Sequence, residues 1–150
     1  MTTLEIGPHD AIYYEHTAPT DPKGCTFVFF NALTGDTGMW EAAIAPRLRE
    51  SGHGTLAFNF RGQANSTFSP GTQIDAPLIV DDARKLMDEL KPARPVLVGL
   101  SIGGLFAANA YMKGAEASGL IFVNTLRRGG ARLQRELPDD VRDNRFDGSR

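Results

Sequence analysis

A chain of 150 residues, 41% apolar and 23% charged, is long enough for one domain with a real core and has the balance of an ordinary soluble globular protein. Its net charge of −2 argues against a nucleic-acid surface, and a single cysteine, Cys25, excludes an internal disulfide and points to a reducing compartment. No basic-then-apolar segment opens the chain, and no apolar run approaches the roughly 20 residues that cross a bilayer. The expectation is a cytoplasmic protein without a membrane segment.

In chain order, Leu4-Glu5-Ile6 and Ala11 to His16 flank the turn sequence Gly7-Pro8-His9-Asp10 and predict an antiparallel hairpin at a sheet edge. Thr26 to Phe30 reads as a strand buried on both faces, followed by a loop of small residues from Asn31 to Gly38. Met39 to Arg49 reads as one amphipathic helix with Trp40, Ile44 and Leu48 inward. Gly52-His53-Gly54 ends it, and a strand over Thr55–Phe60 runs into the polar loop Arg61–Ser66. A helix from Ile74 to Leu90 is predicted to begin near Asp75, with Pro77 in its first turn and Leu78, Ala83, Leu86 and Leu90 inward. Asp81 and Asp82 suit its early turns. Strands follow at 95–100 and 118–124, separated by a helix after Ser101. Residues 1–125 are thus expected to form one domain. Residues 126–150, with seven arginines against five acids, form a polar tail expected to be poorly ordered or to begin a lid.

This alternation predicts an α/β fold, a mostly parallel sheet with helices on both faces. In such sheets a site forms at the carboxyl ends of the strands. Asn31–Gly38, Arg61–Ser66, Ser101 and Asn124 all fall at that edge.

The most informative stretch is Val96-Leu97-Val98-Gly99-Leu100-Ser101-Ile102-Gly103-Gly104, a short β-branched strand running into a helix with a serine at the corner. Gly99 and Gly103 lie two residues either side of Ser101. At so sharp a turn a side chain at either would collide with the opposite arm. The corner holds the hydroxyl clear of the backbone, with the helix's first N–H groups beside it, which suits a nucleophile whose attack creates an oxyanion. The plain alternative is a glycine-rich turn whose serine caps the helix. Dinucleotide binding is disfavoured, because Ser101 stands where G-x-G-x-x-G needs its middle glycine.

With these residues in place, the sequence resembles the α/β-hydrolase family over roughly residues 4–130. Gly99-Leu100-Ser101-Ile102-Gly103-Gly104 is similar to its nucleophile elbow. Asn31-Ala32-Leu33, with Trp40 at the next helix, stands where the family usually has His-Gly and the oxyanion residue, a variant that looks most like the enol-lactone hydrolase branch. Asn59-Phe60-Arg61-Gly62-Gln63-Ala64-Asn65-Ser66 is close to D-x-R-G-x-G-x-S, with Asn59 for Asp and Ala64 for Gly. The resemblance implies Ser101 as nucleophile and the N–H groups of Leu33 and Ile102 as oxyanion hole. Gly99, Gly103 and Gly104 would support the turn, and Arg61–Ser66 would brace the fold. It implies a serine hydrolase of a small-molecule ester or lactone without a cofactor; no pair or cluster of Cys, His and acids has metal spacing, and no nucleic-acid or membrane partner is expected.

The family's acid and histidine follow the serine in chain order. After Ser101 no histidine occurs, and Asn124 stands where some members place the acid. His9, His16 and His53 all precede the serine and none is expected near it. The expectation is therefore a partial fold lacking the last strands, weakly active. The competing reading is a non-catalytic interaction protein that self-associates through an exposed sheet edge.

Overall fold

The computed structural model describes residues 2–125. Its sheet contains β1 (Thr3–Gly7), β2 (Asp10–Thr17), β3 (Thr26–Phe30), β4 (Gly54–Phe58), β5 (Pro95–Leu100) and β6 (Gly119–Val123). The order is β1-β2-β4-β3-β5-β6: the hairpin β1–β2 joins antiparallel to β4, and β4, β3, β5 and β6 run parallel. This is the mostly parallel sheet that the alternation predicts. The tail 126–150 lies outside the described residues.

Two cores sandwich the sheet, because alternate residues of each strand face opposite ways. Val28, Phe30, Leu56, Phe58 and Leu97 point to one face, under α3 (Ala76–Leu90) and α4 (Ile102–Met112). There Phe30, Phe58, Phe60 and Phe106 form a chain of edge-to-face rings with centroids 5.2–5.6 Å apart. On the other face Phe29, Ala57 and Val98 pack beneath α1 (Thr37–Ala43) and α2 (Ala45–Glu50). Trp40 stacks on Phe29 at 4.5 Å.

One local expectation is corrected. The helix expected over 39–49 is two short helices, broken at Ile44 (φ −135°, ψ −29°). Pro46 has no N–H and its ring clashes with the carbonyl four residues back, so the first helix cannot continue through it. The break turns Ile44 outward and puts Ala45 in the core instead. β1 is the outermost strand, but its ladder to β2 stops at Tyr13, so His16 near the end of β2 has only β4 beside it and is exposed, as expected. The helix predicted near Asp75 starts as expected, with the Asp75 carboxylate accepting from Leu78 N at 3.0 Å. Its buried face is Ile79, Val80, Ala83, Leu86 and Met87, while Leu78 and Leu90 are half-buried.

Candidate active site

Parallel β3, β4, β5 and β6 deliver the segments that follow them to one sheet edge. Ser101 stands there, exposed, one residue beyond β5, with φ 54° and ψ −122°. That backbone lies outside the regions an L-residue normally adopts and costs on the order of 1–3 kcal/mol unless its surroundings fix it. They do. Ser101 N–H donates to Val123 O at 2.9 Å, and Ser101 O accepts from Gly104 N at 3.1 Å and from Thr125 Oγ1 at 3.0 Å. The serine side chain does not cap α4, so the plain capping alternative is not what this corner does.

The glycines answer to different obstacles. A Cβ on Gly99 would lie 2.6 Å from the Gly103 carbonyl carbon, the opposite arm of the turn, as expected. One on Gly103 would instead strike the end of β3, 2.5 Å from Asn31 O and against Phe30 O. One on Gly104 would strike the Thr125 side chain. Gly103 therefore sets the distance between α4 and the segment 31–38 rather than the sharpness of the corner.

The segment 31–38 rests on a buried amide network. Asn31 Nδ2 donates to Phe58 O (2.9 Å), Asn59 Oδ1 (3.0 Å) and Gln63 Oε1 (3.1 Å), and Asn31 Oδ1 accepts from Trp40 Nε1 at 2.7 Å. Asn59 Oδ1 also accepts from Thr37 N at 2.9 Å, and Asn59 Nδ2 donates to Ala64 O at 2.6 Å. Gln63 Nε2 donates to Ala32 O (2.9 Å) and Leu33 O (3.1 Å). The Leu33 side chain is 63% exposed at the rim. Among the described residues no acceptor engages the N–H of Leu33. The same holds for Ile102, the first residue of α4, whose N–H has no partner within the helix.

The loop 61–66 is bound on its far side too. Arg61 makes a two-pronged pair with Asp82 of α3, Nε–Oδ2 2.6 Å and Nη2–Oδ1 2.7 Å, with Asp10 at 3.6 Å. The hydrogen bonds to Asp82 raise the Arg61 pKa above its ordinary value, although burial opposes this. Ser66 Oγ donates to Asn59 O at 2.7 Å and accepts from Tyr13 N at 3.0 Å. Sequence reasoning treats this loop as a brace for the fold. Its contacts through Gln63 also reach Ala32 and Leu33, a link invisible without the three-dimensional neighbourhood.

No histidine approaches Ser101. His53 sits just before β4, at the amino edge, where Nδ1 accepts from Cys25 N at 3.2 Å and lies 3.5 Å from Cys25 Sγ. His16, on β2, stands opposite Leu56 in the middle of β4, with β4 and β3 between it and β5. His9, in the β1–β2 turn, lies at the carboxyl edge but three strand steps from β5, or roughly 14 Å. Asn124 follows β6 in a left-handed conformation (φ 50°), exposed and without a carboxylate to offer.

The fold is matched among known proteins. Residues 26–147 match the family model described as alpha/beta hydrolase fold. A carboxylesterase structure from the ammonia-oxidizing Thaumarchaeon Nitrososphaera gargenis superposes with TM-score 0.77 at 20% identity, over 90% of this chain and 49% of that one. A thermophilic esterase from Thermogutta terrifontis gives TM-score 0.69 at 25% identity, over 90% and 48%. Est816, described as an N-acyl homoserine lactone degrading enzyme, gives 0.67 at 24%, over 89% and 49%. The chain spans about half the length of these structures. No curated protein matches it. Sheet order, serine corner and family match agree: the chain belongs to the α/β-hydrolase fold family.

Proposed function

We propose that this chain carries the nucleophile half of a serine hydrolase acting on a carboxylic ester or lactone. The observation that carries the reading is Ser101, exposed on a strained corner at the sheet edge shared with two uncommitted N–H groups. Ser101 Oγ attacks the carbonyl carbon, and its proton passes through solvent water to the departing oxygen. The carbonyl oxygen becomes an oxyanion that accepts from Leu33 and Ile102 N–H. Collapse expels the alcohol, leaving an acyl-serine for water to cleave. Each such donor is typically worth about 3–4 kcal/mol of barrier. The esterase and lactone-degrading relatives support the substrate class.

The proton from Ser101 needs a base, and none of the three histidines is placed to take it. A serine hydroxyl without one is a weak nucleophile. Positioning and the oxyanion hole alone leave on the order of 10³–10⁴-fold over water. A fluorophosphonate is therefore expected to label Ser101 slowly, over hours, and hydrolysis of a p-nitrophenyl ester is expected near background. Intact-mass and peptide analysis reads the first, absorbance the second. Ser101→Ala is expected to remove the adduct. An adduct that survives this substitution overturns the assignment of the nucleophile, and fast ester turnover overturns the absence of a base.

A second reading is favoured by one observation: Ile121, Phe122 and Val123 are exposed on β6, whose only partner among the described residues is β5. Such an edge pairs readily with another chain. A non-catalytic, self-associating protein is expected to elute above 16.3 kDa in size-exclusion chromatography, in proportion to its concentration. A monomer at all concentrations removes this reading.

A further inference from the structure

Gln63 occupies a position that the pattern D-x-R-G-x-G-x-S leaves open, yet its side-chain amide has four partners. Oε1 accepts from Phe60 N at 2.9 Å and from Asn31 Nδ2 at 3.1 Å, and Nε2 donates to Ala32 O and Leu33 O. The orientation of this amide is fixed chemically. Phe60 N–H can only donate and the two carbonyls can only accept, so oxygen and nitrogen cannot be exchanged. Gln63 is itself anchored, because its own N–H donates to Phe60 O at 2.9 Å.

A trans peptide is planar, and its C=O and N–H point in opposite directions. Ala32 C=O and Leu33 N–H belong to one such plane. Gln63 follows β4 and Ser101 follows β5, with β3 and its continuation 31–38 between them. Holding the Ala32 carbonyl toward the β4 side therefore turns the Leu33 N–H toward the β5 side. Gly35 N–H also reaches Ala32 O, at 3.0 Å, and closes the turn, but nothing else among the described residues holds the Leu33 carbonyl.

We infer that Gln63 is a positioning residue: by gripping the Ala32 and Leu33 carbonyls it aims the Leu33 N–H at the oxygen of a substrate attacked by Ser101. The inference rests on the serine-hydrolase reading above. It assigns to the loop after β4 a part in the oxyanion hole, exerted through a side chain that never touches substrate.

Gln63→Glu isolates the effect. It keeps an acceptor for Phe60 N and Asn31 Nδ2 but sets a charged oxygen against two carbonyls. When that carboxyl is protonated its O–H donates again. Two readouts apply to the whole chain: the 15N order parameter of the Leu33 amide, and the rate of fluorophosphonate labelling at Ser101. In the wild type the Leu33 amide is expected to be rigid, near about 0.85, and in the variant at pH 7 to fall below about 0.6. Labelling is expected to slow about tenfold to a hundredfold. The order parameter is expected to recover as pH falls and the carboxyl takes up a proton, because its O–H can again donate to a carbonyl. A merely structural role would give no such recovery. If Gln63→Glu does not fold, Gln63→Met, similar in volume and without polar hydrogen bonds, carries both readouts without the pH rescue.

An unchanged Leu33 order parameter at pH 7 overturns the inference. So does a fallen order parameter with an unchanged labelling rate, since the N–H would then not serve Ser101. Absence of wild-type labelling at Ser101 is a different failure. It removes the hydrolase reading, and with it the purpose assigned to the clamp, while the order parameters still decide whether Gln63 holds the loop.

Discussion

Asp82→Ala is expected to lower the unfolding free energy by about 3–5 kcal/mol, measured by urea denaturation with an unchanged slope. The size follows from what is left behind. Arg61 is 8% and Asp82 3% exposed, and two short hydrogen bonds hold the guanidinium. Without Asp82 that charge stays buried with only Asp10, 3.6 Å away, to answer it. Asp10 cannot compensate fully, because its Oδ1 already accepts from Ser69 N at 2.6 Å. Replacing both partners with apolar residues, Arg61→Met with Asp82→Leu, is expected to recover most of the loss, since the pair's attraction largely offsets its desolvation. A loss below about 1 kcal/mol for Asp82→Ala would mean that water reaches Arg61.

Gly103→Ala is expected to cost a similar amount, about 3–5 kcal/mol, and to suppress Ser101 labelling as well. The added methyl meets backbone at Phe30 and Asn31, at the end of the central strand β3, so neither side can yield cheaply. Any accommodation separates α4 from segment 31–38, and thus Ile102 from Leu33. Gly71→Ala is the control: it has φ +83° and nothing within 4 Å of the added atom, so only conformational strain of about 1–2 kcal/mol is expected. Equal losses at the two positions, read in the same denaturation experiment, would refute the collision argument.

Most of the sheet was legible because its signals are local. Thr26–Phe30 and Pro95–Leu100 are short apolar runs between turn residues, and both strands begin and end as those runs do. The sharp corner at Ser101 followed from a strand pattern, a glycine-flanked serine and a helix pattern in immediate succession. What pattern could not supply was anything settled by neighbours distant in sequence. The inward place expected for Ile44 failed because Pro46 outranks a four-residue periodicity.

The departures at Asn31 and Asn59 read singly as two losses, one of His and one of Asp, relative to the family pattern. In the fold they touch at 3.0 Å, so they form one neutral amide pair shared with Trp40 and Gln63. Each partner makes sense only beside the other. The role inferred for Gln63 was likewise hidden, since a glutamine in a polar loop carries no periodic signal. Its meaning comes from two carbonyls about 30 positions away.

The corner at Ser101 is tied to residues that come much later in the chain: Val123 takes its N–H, and Thr125 donates to its carbonyl. A polypeptide that has delivered only the first 118 residues therefore has the serine but neither of these two holds on its backbone. The held shape of this corner thus draws on the strand that completes this side of the sheet and on Thr125 beyond it.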